Sequence, residues 1–153
     1  MQLGLDGLAK GWGVDEAVKK QRGLGFKFKD FFVQAGGDFF AGGKKAGRPW
    51  KVGIRDPRGE RDSVFAVFEV SDAAFSTSGD YKNFFLLEGK RYHHIIDPRT
   101  SYPATGSRSA TVLAPSAVDA EVLTKSVFIL GGKEGLALAE KHGATAVEVT
   151  ADN

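Results

Sequence analysis

No cysteine occurs in this chain, which excludes disulfides, thiolate metal sites and cysteine nucleophiles together. Compartment stays open on that ground, because a disulfide-free protein can work on either side of a membrane. No apolar run approaches the roughly 20 residues of a spanning helix, so no membrane span is expected. The start, Met1-Gln2-Leu3-Gly4, lacks the basic opening and apolar stretch of a signal peptide, and none is expected in this chain. Excess charge is missing too: 21 Lys plus Arg face 19 Asp plus Glu, a net +2. That balance argues against a protein that holds nucleic acid mainly by charge. What is present is a core: 42% of residues are apolar and 12 are Phe, which excludes a wholly disordered chain. A length of 153 residues suits one domain, or part of a larger protein. Glycine is the outlier: its 20 residues are nearly double the usual share of about 7%.

The pattern along the chain predicts many short strands and a few helices. Val14–Gln21 reads as a short helix, acids early and lysines late. Strands are expected over 31–35, 50–55, 64–70, 73–77, 84–87, 91–96 and 108–114. Turns are expected at 42–49, 56–62 and 88–90, and Asp97-Pro98 should end a hairpin, since proline donates nothing to a ladder. The strongest helix runs over 116–130, with Ser116 as N-cap and Gly131-Gly132 as its stop. A second helix over 133–141 and a last strand over 144–150 complete the chain. The fold class is therefore α+β with a mainly antiparallel sheet, and residues 1–153 read as a single domain.

Three segments combine glycine with titratable side chains. Asp6-Gly7-Leu8-Ala9-Lys10-Gly11 opens a helix, and a glycine-rich turn into a helix N-terminus suits phosphate, with Lys10 adding a charge. Its plain alternative is a helix entry with a solvated lysine. Gly36-Gly37-Asp38 follows a strand, where bare backbone lets a ligand approach; the alternative is a simple turn. The densest segment pairs Ser76-Thr77-Ser78-Gly79-Asp80-Tyr81 with His93-His94-Ile95-Ile96-Asp97-Pro98-Arg99-Thr100. Neighbours on a strand face opposite ways, so His93 and His94 cannot both enter one pocket. Asp97 either swings toward that pocket or simply initiates the turn. Farther on, Glu121, Thr124 and Lys125 share a helix face, and Glu121–Lys125 reads most simply as a surface ion pair.

Taken in order, GLAKGWGVD (7–15), QAGGD (34–38), WKVGIRDPR (50–58), STSGDY (76–81), GKRYHHIIDPRTSYP (89–103), TVLAP (111–115) and FILGGKEGLAL (128–138) resemble the flavin transferase family called ApbE. The resemblance covers nearly the whole chain and implies an ApbE-like, T-fold-like architecture, here its C-terminal part. It implies an FAD:protein FMN transferase, which splits FAD, attaches FMN to a Thr hydroxyl of an acceptor protein and releases AMP with Mg2+ assisting. The alternatives are an FAD-binding module without turnover, or a hydrolase giving FMN and AMP. The implied acceptor is a flavoprotein subunit of an electron-transfer complex, and the implied location is periplasmic or otherwise extracytoplasmic. By resemblance, His94 is the catalytic base, with Asp97 orienting it or sharing its proton. Lys10, Gly36, Gly37, Asp38, Ser78, Asp80, Ile96 and Thr100 fall at cofactor-binding places, and Gly7, Glu121 and Thr124 at the metal site.

The sequence departs from the family in three places. Gly4 stands where an Asp is usual, so one FAD contact is missing or taken over by Asp6. The family's late helix carries an Asp and a Thr four residues apart, and this chain has Glu121 and Lys125 there. A charged lysine cannot ligate Mg2+, but it can stand in for some of the cation's charge. The N-terminal half of the family's length has no counterpart in this sequence, which reads either as the C-terminal part of a longer protein or as a short form, and the flavin pocket is expected to be incomplete unless another chain supplies the rest.

Overall fold

The computed structural model describes residues 4–25, 28–60 and 63–152, so the first three residues and part of the turn expected over 56–62 lie outside it. Strands β1 (Phe31–Ala35) and β2 (Asp38–Gly42) form a hairpin across Gly36-Gly37, with Ala35 opposite Asp38. Gly36 has φ +63° at the first loop position, a conformation open to glycine at no steric cost. The expected strand ends at this glycine pair, and β2, whose five residues begin directly after the loop, is a strand the local pattern does not predict.

β3 (Trp50–Arg55) and β4 (Val64–Val70) form a separate antiparallel hairpin. β5 (Ala73–Gly79) returns to the main sheet and pairs with β2 on one side. β6 (Phe84–Leu87) and β7 (Lys90–His93) make another hairpin, and β8 (Ile96–Asp97) pairs with β9 (Tyr102–Pro103). The strand predicted over 91–96 is thus interrupted at His94-Ile95 and resumes as β8. β10 (Ser107–Ala114) then lies against β5, and the last strand, β11 (Thr145–Thr150), lies against β10. The main sheet has the order β1-β2-β5-β10-β11, every neighbour antiparallel. The expected α+β class with mainly antiparallel pairing is what the chain adopts.

Three helices cover this sheet: α1 (Ala9–Gly23), α2 (Ala117–Leu130) and α3 (Gly132–Lys141). α1 packs on β1 and β2, α2 on β5 and β10, and α3 on β11, with α2 touching both other helices. Val14 and Val18 of α1 meet Ala117, Ala120, Leu123, Val127 and Phe128 of α2 over Phe40, Ala74, Ala110 and Val112 of the sheet. Fully burying a side chain such as Val127 or Phe128 contributes about 1.5–3 kcal/mol.

α1 is longer than its predicted Val14–Gln21 core because tertiary packing, not propensity, holds its first turns. A Cβ on Gly11 would lie 2.7 Å from the Ala117 carbonyl oxygen and 2.9 Å from Glu121 Oε2, so glycine lets α1 approach α2. α2 is doubly capped. Ser116 Oγ accepts from the Asp119 N–H at 3.1 Å, as the sequence predicts, while Asp15 of α1 accepts from the Ala117 and Val118 N–H groups at 2.7 and 3.0 Å.

Candidate functional site

A cleft of about 270 Å3 opens where the β1–β2 turn, the end of β5, the start of α1 and the middle of α2 converge. Lys10, Gly36, Gly37, Asp38, Ser78 and His94, six of the predicted residues, line it together with Ser76, Thr77, Gly79, Lys82, Asn83 and Lys125. Its charge is organised by one buried carboxylate. Glu121 is fully buried, and its Oε1 accepts from Lys10 Nζ at 2.5 Å while Oε2 accepts from the Gly11 N–H at 2.8 Å. Lys125 Nζ lies 3.2 Å from the same Oε1. Burial alone would raise the Glu121 pKa, but the hydrogen bonds from Lys10 and Gly11 and the Lys125 charge outweigh it and hold the carboxyl below its usual range.

Lys10 also pairs with Asp38 Oδ2 at 3.0 Å, and Asp38 in turn accepts from Ser76 Oγ at 2.5 Å. Desolvation opposes the Lys10 charge, yet its bonds to Glu121 and Asp38 hold it above the ordinary lysine value. Lys82 differs. Desolvation pushes its ammonium down, Asp38 only partly offsets this, and the Lys10 and Arg55 charges add to the depression. Among the described residues no carboxylate pairs with it. Its Nζ lies over bare backbone, 2.7 Å from where a Cβ on Gly37 would stand.

His93 and His94 do part company: His93 ends β7, and His94 lies in the bend that follows it. His93 is buried at the end of β7, its Nε2 donating to the Ala104 carbonyl at 2.8 Å and its Nδ1 accepting from the Ile95 N–H at 3.3 Å. Burial holds its pKa below the ordinary histidine value despite the Ala104 bond. His94 is exposed at the cleft wall, with Nδ1 3.3 Å from the Asn83 carbonyl oxygen. A carbonyl only accepts, so this bond assigns the neutral ring's proton to Nδ1 and leaves the Nε2 lone pair available as a base.

The other predicted residues lie elsewhere. Asp97 and Thr100 line a second cleft with Lys90, Arg91 and Tyr102. Bidentate hydrogen bonds from the Arg99 guanidinium and one from the Arg99 N–H hold the Asp97 carboxyl below its usual pKa. Among the described residues no hydrogen bond joins Asp97 to His94, so the expected orienting contact is replaced by Asn83. Thr100 Oγ1 accepts from the Tyr102 N–H at 3.2 Å, and Ile96 is exposed at the start of β8. Asp80 lines a third cleft with Arg91 and His93, where Arg58 holds it through both terminal guanidinium nitrogens, at 2.8 and 2.5 Å.

The expected metal ligands do not fit a divalent ion. Lys125 Nζ donates to the Gly7 carbonyl at 2.8 Å and lies 3.2 Å from Glu121 Oε1, so an ammonium sits among the oxygens expected to bind Mg2+. Thr124 does not line the cleft: its hydroxyl is buried against β10, where it donates to the Ala110 carbonyl at 2.9 Å. Among the described residues no group of three or more His, Asp or Glu side chains is placed to hold a metal. The surface pair expected of Glu121 and Lys125 is also corrected, because Glu121 is wholly buried and its pair lines the cleft. Lys82 and Asn83, which sequence reasoning missed, follow STSGDY directly; only that adjacency could have pointed to them.

The comparisons agree on one family. The model for the ApbE family matches residues 1–148. An FAD:protein FMN transferase of Haemophilus influenzae is 39% identical over 142 residues, covering 90% of this chain and 40% of its own length. One from Treponema pallidum is 40% identical over 148 residues, with 90% and 40% covered. The crystal structure of an ApbE protein from Thermotoga maritima superposes with a TM-score of 0.87 at 38% identity, covering 99% of this chain and 50% of that one. The flavin transferase ApbE from Vibrio cholerae gives 0.82 at 33%, covering 97% and 47%. The chain thus spans about 40% of the length of these FAD:protein FMN transferases and half of the solved chains.

Proposed function

Because this chain belongs to the ApbE family, we propose that it carries the phosphate-side part of an FAD site and transfers FMN to an acceptor protein. The observation that carries this reading is the cleft itself, where a free imidazole lone pair, three ammoniums and the Gly36-Gly37 backbone converge. The pyrophosphate of FAD lies against Lys10, Lys82 and the glycine turn. The acceptor Thr oxygen attacks the phosphorus on the riboflavin side, the bridging P–O bond breaks and AMP leaves. His94 Nε2 takes the hydroxyl proton. The lysines neutralise the charge that grows on the phosphoryl oxygens. The acceptor is a flavoprotein subunit of an electron-transfer complex, and the reaction belongs on the periplasmic face.

The test mixes the chain with FAD, Mg2+ and a peptide containing the acceptor Thr, and follows FMN attachment by mass spectrometry and AMP by chromatography. Attachment is expected, and His94→Ala should lower the rate by about 100-fold or more with the circular dichroism unchanged. AMP without labelled peptide would select hydrolysis. A second reading, FAD binding without turnover, is favoured by one observation: Arg99 engages both Asp97 carboxylate oxygens, and among the described residues no hydrogen bond joins Asp97 to His94. FAD bound tightly with no AMP released, and unaffected by His94→Ala, would select it.

A further inference from the structure

We propose that Lys125 is a built-in replacement for a divalent cation, and that with Lys10 and Lys82 it makes the cleft a metal-independent binding site for a pyrophosphate group. The inference rests on the reading that the cleft takes a flavin nucleotide. Lys125 Nζ is surrounded by three protein oxygens: the Gly7 carbonyl at 2.8 Å, the Glu121 carbonyl at 3.2 Å and Glu121 Oε1 at 3.2 Å. The two carbonyls accept hydrogen bonds from the ammonium and the carboxylate oxygen faces its charge, as oxygens around a cation would. Magnesium needs about six oxygens at about 2.0–2.1 Å, and it cannot share this position with a fixed positive charge.

The rest of the cleft fits the substitution. Three ammoniums, from Lys10, Lys82 and Lys125, face the two carboxylates of Asp38 and Glu121, leaving one positive charge in excess. Glu121 is fully buried and bonded to Lys10 and the Gly11 N–H, so it holds the lysines in place rather than offering an open coordination site. Lys82 has no carboxylate partner among the described residues and is held below the ordinary lysine pKa, so an arriving anion would complete its environment. The Gly36-Gly37 turn beside it presents backbone without side chains.

The experiment titrates inorganic pyrophosphate, and separately FAD, into the whole chain by calorimetry, in EDTA and then in Mg2+. Wild type, Lys125→Met and Lys125→Thr are compared, with circular dichroism confirming that each variant is folded. Pyrophosphate and FAD are expected to bind wild type in EDTA and to compete, with Mg2+ changing FAD affinity less than twofold. Lys125→Met should weaken both ligands about tenfold or more in EDTA. Lys125→Thr, which restores a hydroxyl, should be equally weak in EDTA and regain FAD affinity when Mg2+ is added. Wild-type FAD binding that appears only with Mg2+ would overturn the inference and leave the flavin reading standing. Unchanged affinity in Lys125→Met would do the same. Pyrophosphate binding that depends on Lys125 but is not displaced by FAD would leave the anion site and remove the flavin reading. No binding of either ligand with or without Mg2+ would remove both.

Discussion

Glu121 shows how one side chain joins stability to the site. It accepts from Lys10 and the Gly11 N–H and faces the Lys125 charge, without any exposure to water. Glu121→Gln keeps the shape but removes the charge that two ammoniums face. It should cost about 2 kcal/mol in chemical denaturation. His93 gives a pH dependence of definite sign. Its folded pKa is depressed below 6.5, chiefly by burial, with the Ala104 bond and Asp80 opposing and His94 and Arg91 adding. The unfolded chain therefore binds the proton more readily, and the stability due to neutral His93 is present above pH 6.5 and lost as pH falls below it. Melting temperature should drop more steeply from pH 6.5 to 5 in wild type than in His93→Gln, and parallel slopes would contradict this. The parting of His93 and His94 was legible from strand alternation, although β7 ends at His93 and the chain bends at His94 before β8 begins. The burial of Glu121 was not, because Glu and Lys four residues apart read as a solvated pair whenever the packing partner, here α1, is about 110 residues away.

Among the elements, α1 and α2 form the joint on which the cleft depends. Gly11→Ala pushes a methyl against the Ala117 carbonyl and Glu121, so it should destabilise by about 1–3 kcal/mol despite alanine's better helix propensity. Thermal unfolding measures this, and a stabilised variant would show that α1 does not sit where described. Asp15→Ala removes a cap of α2 supplied by α1 and should cost about 1 kcal/mol. The strands Phe31–Ala35, Trp50–Arg55, Val64–Val70 and Phe84–Leu87 were readable to the residue because apolar content and turn residues bracket each of them. β2 was not, since Asp38 at its start reads as part of a turn, and its place comes from pairing with β5 as much as with β1. The early turns of α1 were hidden by Gly11 and Gly13, residues that local propensity sets against a helix and that packing on α2 overrules.

At the scale of the molecule, much apolar surface is uncovered. Phe85, Leu86 and Leu87 of β6 are more than half exposed, as are Val64 and Val67 of β4. Leu5 and Trp12, both about 60% exposed, border an apolar crevice with Leu8, Ala9 and Val118. Patches of this kind mark contact surfaces. The chain alone should therefore associate as concentration rises. Sedimentation velocity checks this, and a monomer throughout would show that these residues tolerate water. The ordered motifs had pointed to the fold and to most of the cleft's lining, but not to these surfaces, since exposure depends on neighbours that no local pattern records. The Gly11–Glu121 contact has one more consequence, for the order of synthesis. α1 leaves the ribosome about 110 residues before the glutamate that receives it. At about 5–20 residues per second, that is a wait of roughly 5 to 20 seconds. Until then Val14 and Val18 have no α2 to lie against and α1 rests only on the β1–β2 hairpin that follows it, a ready client for a chaperone.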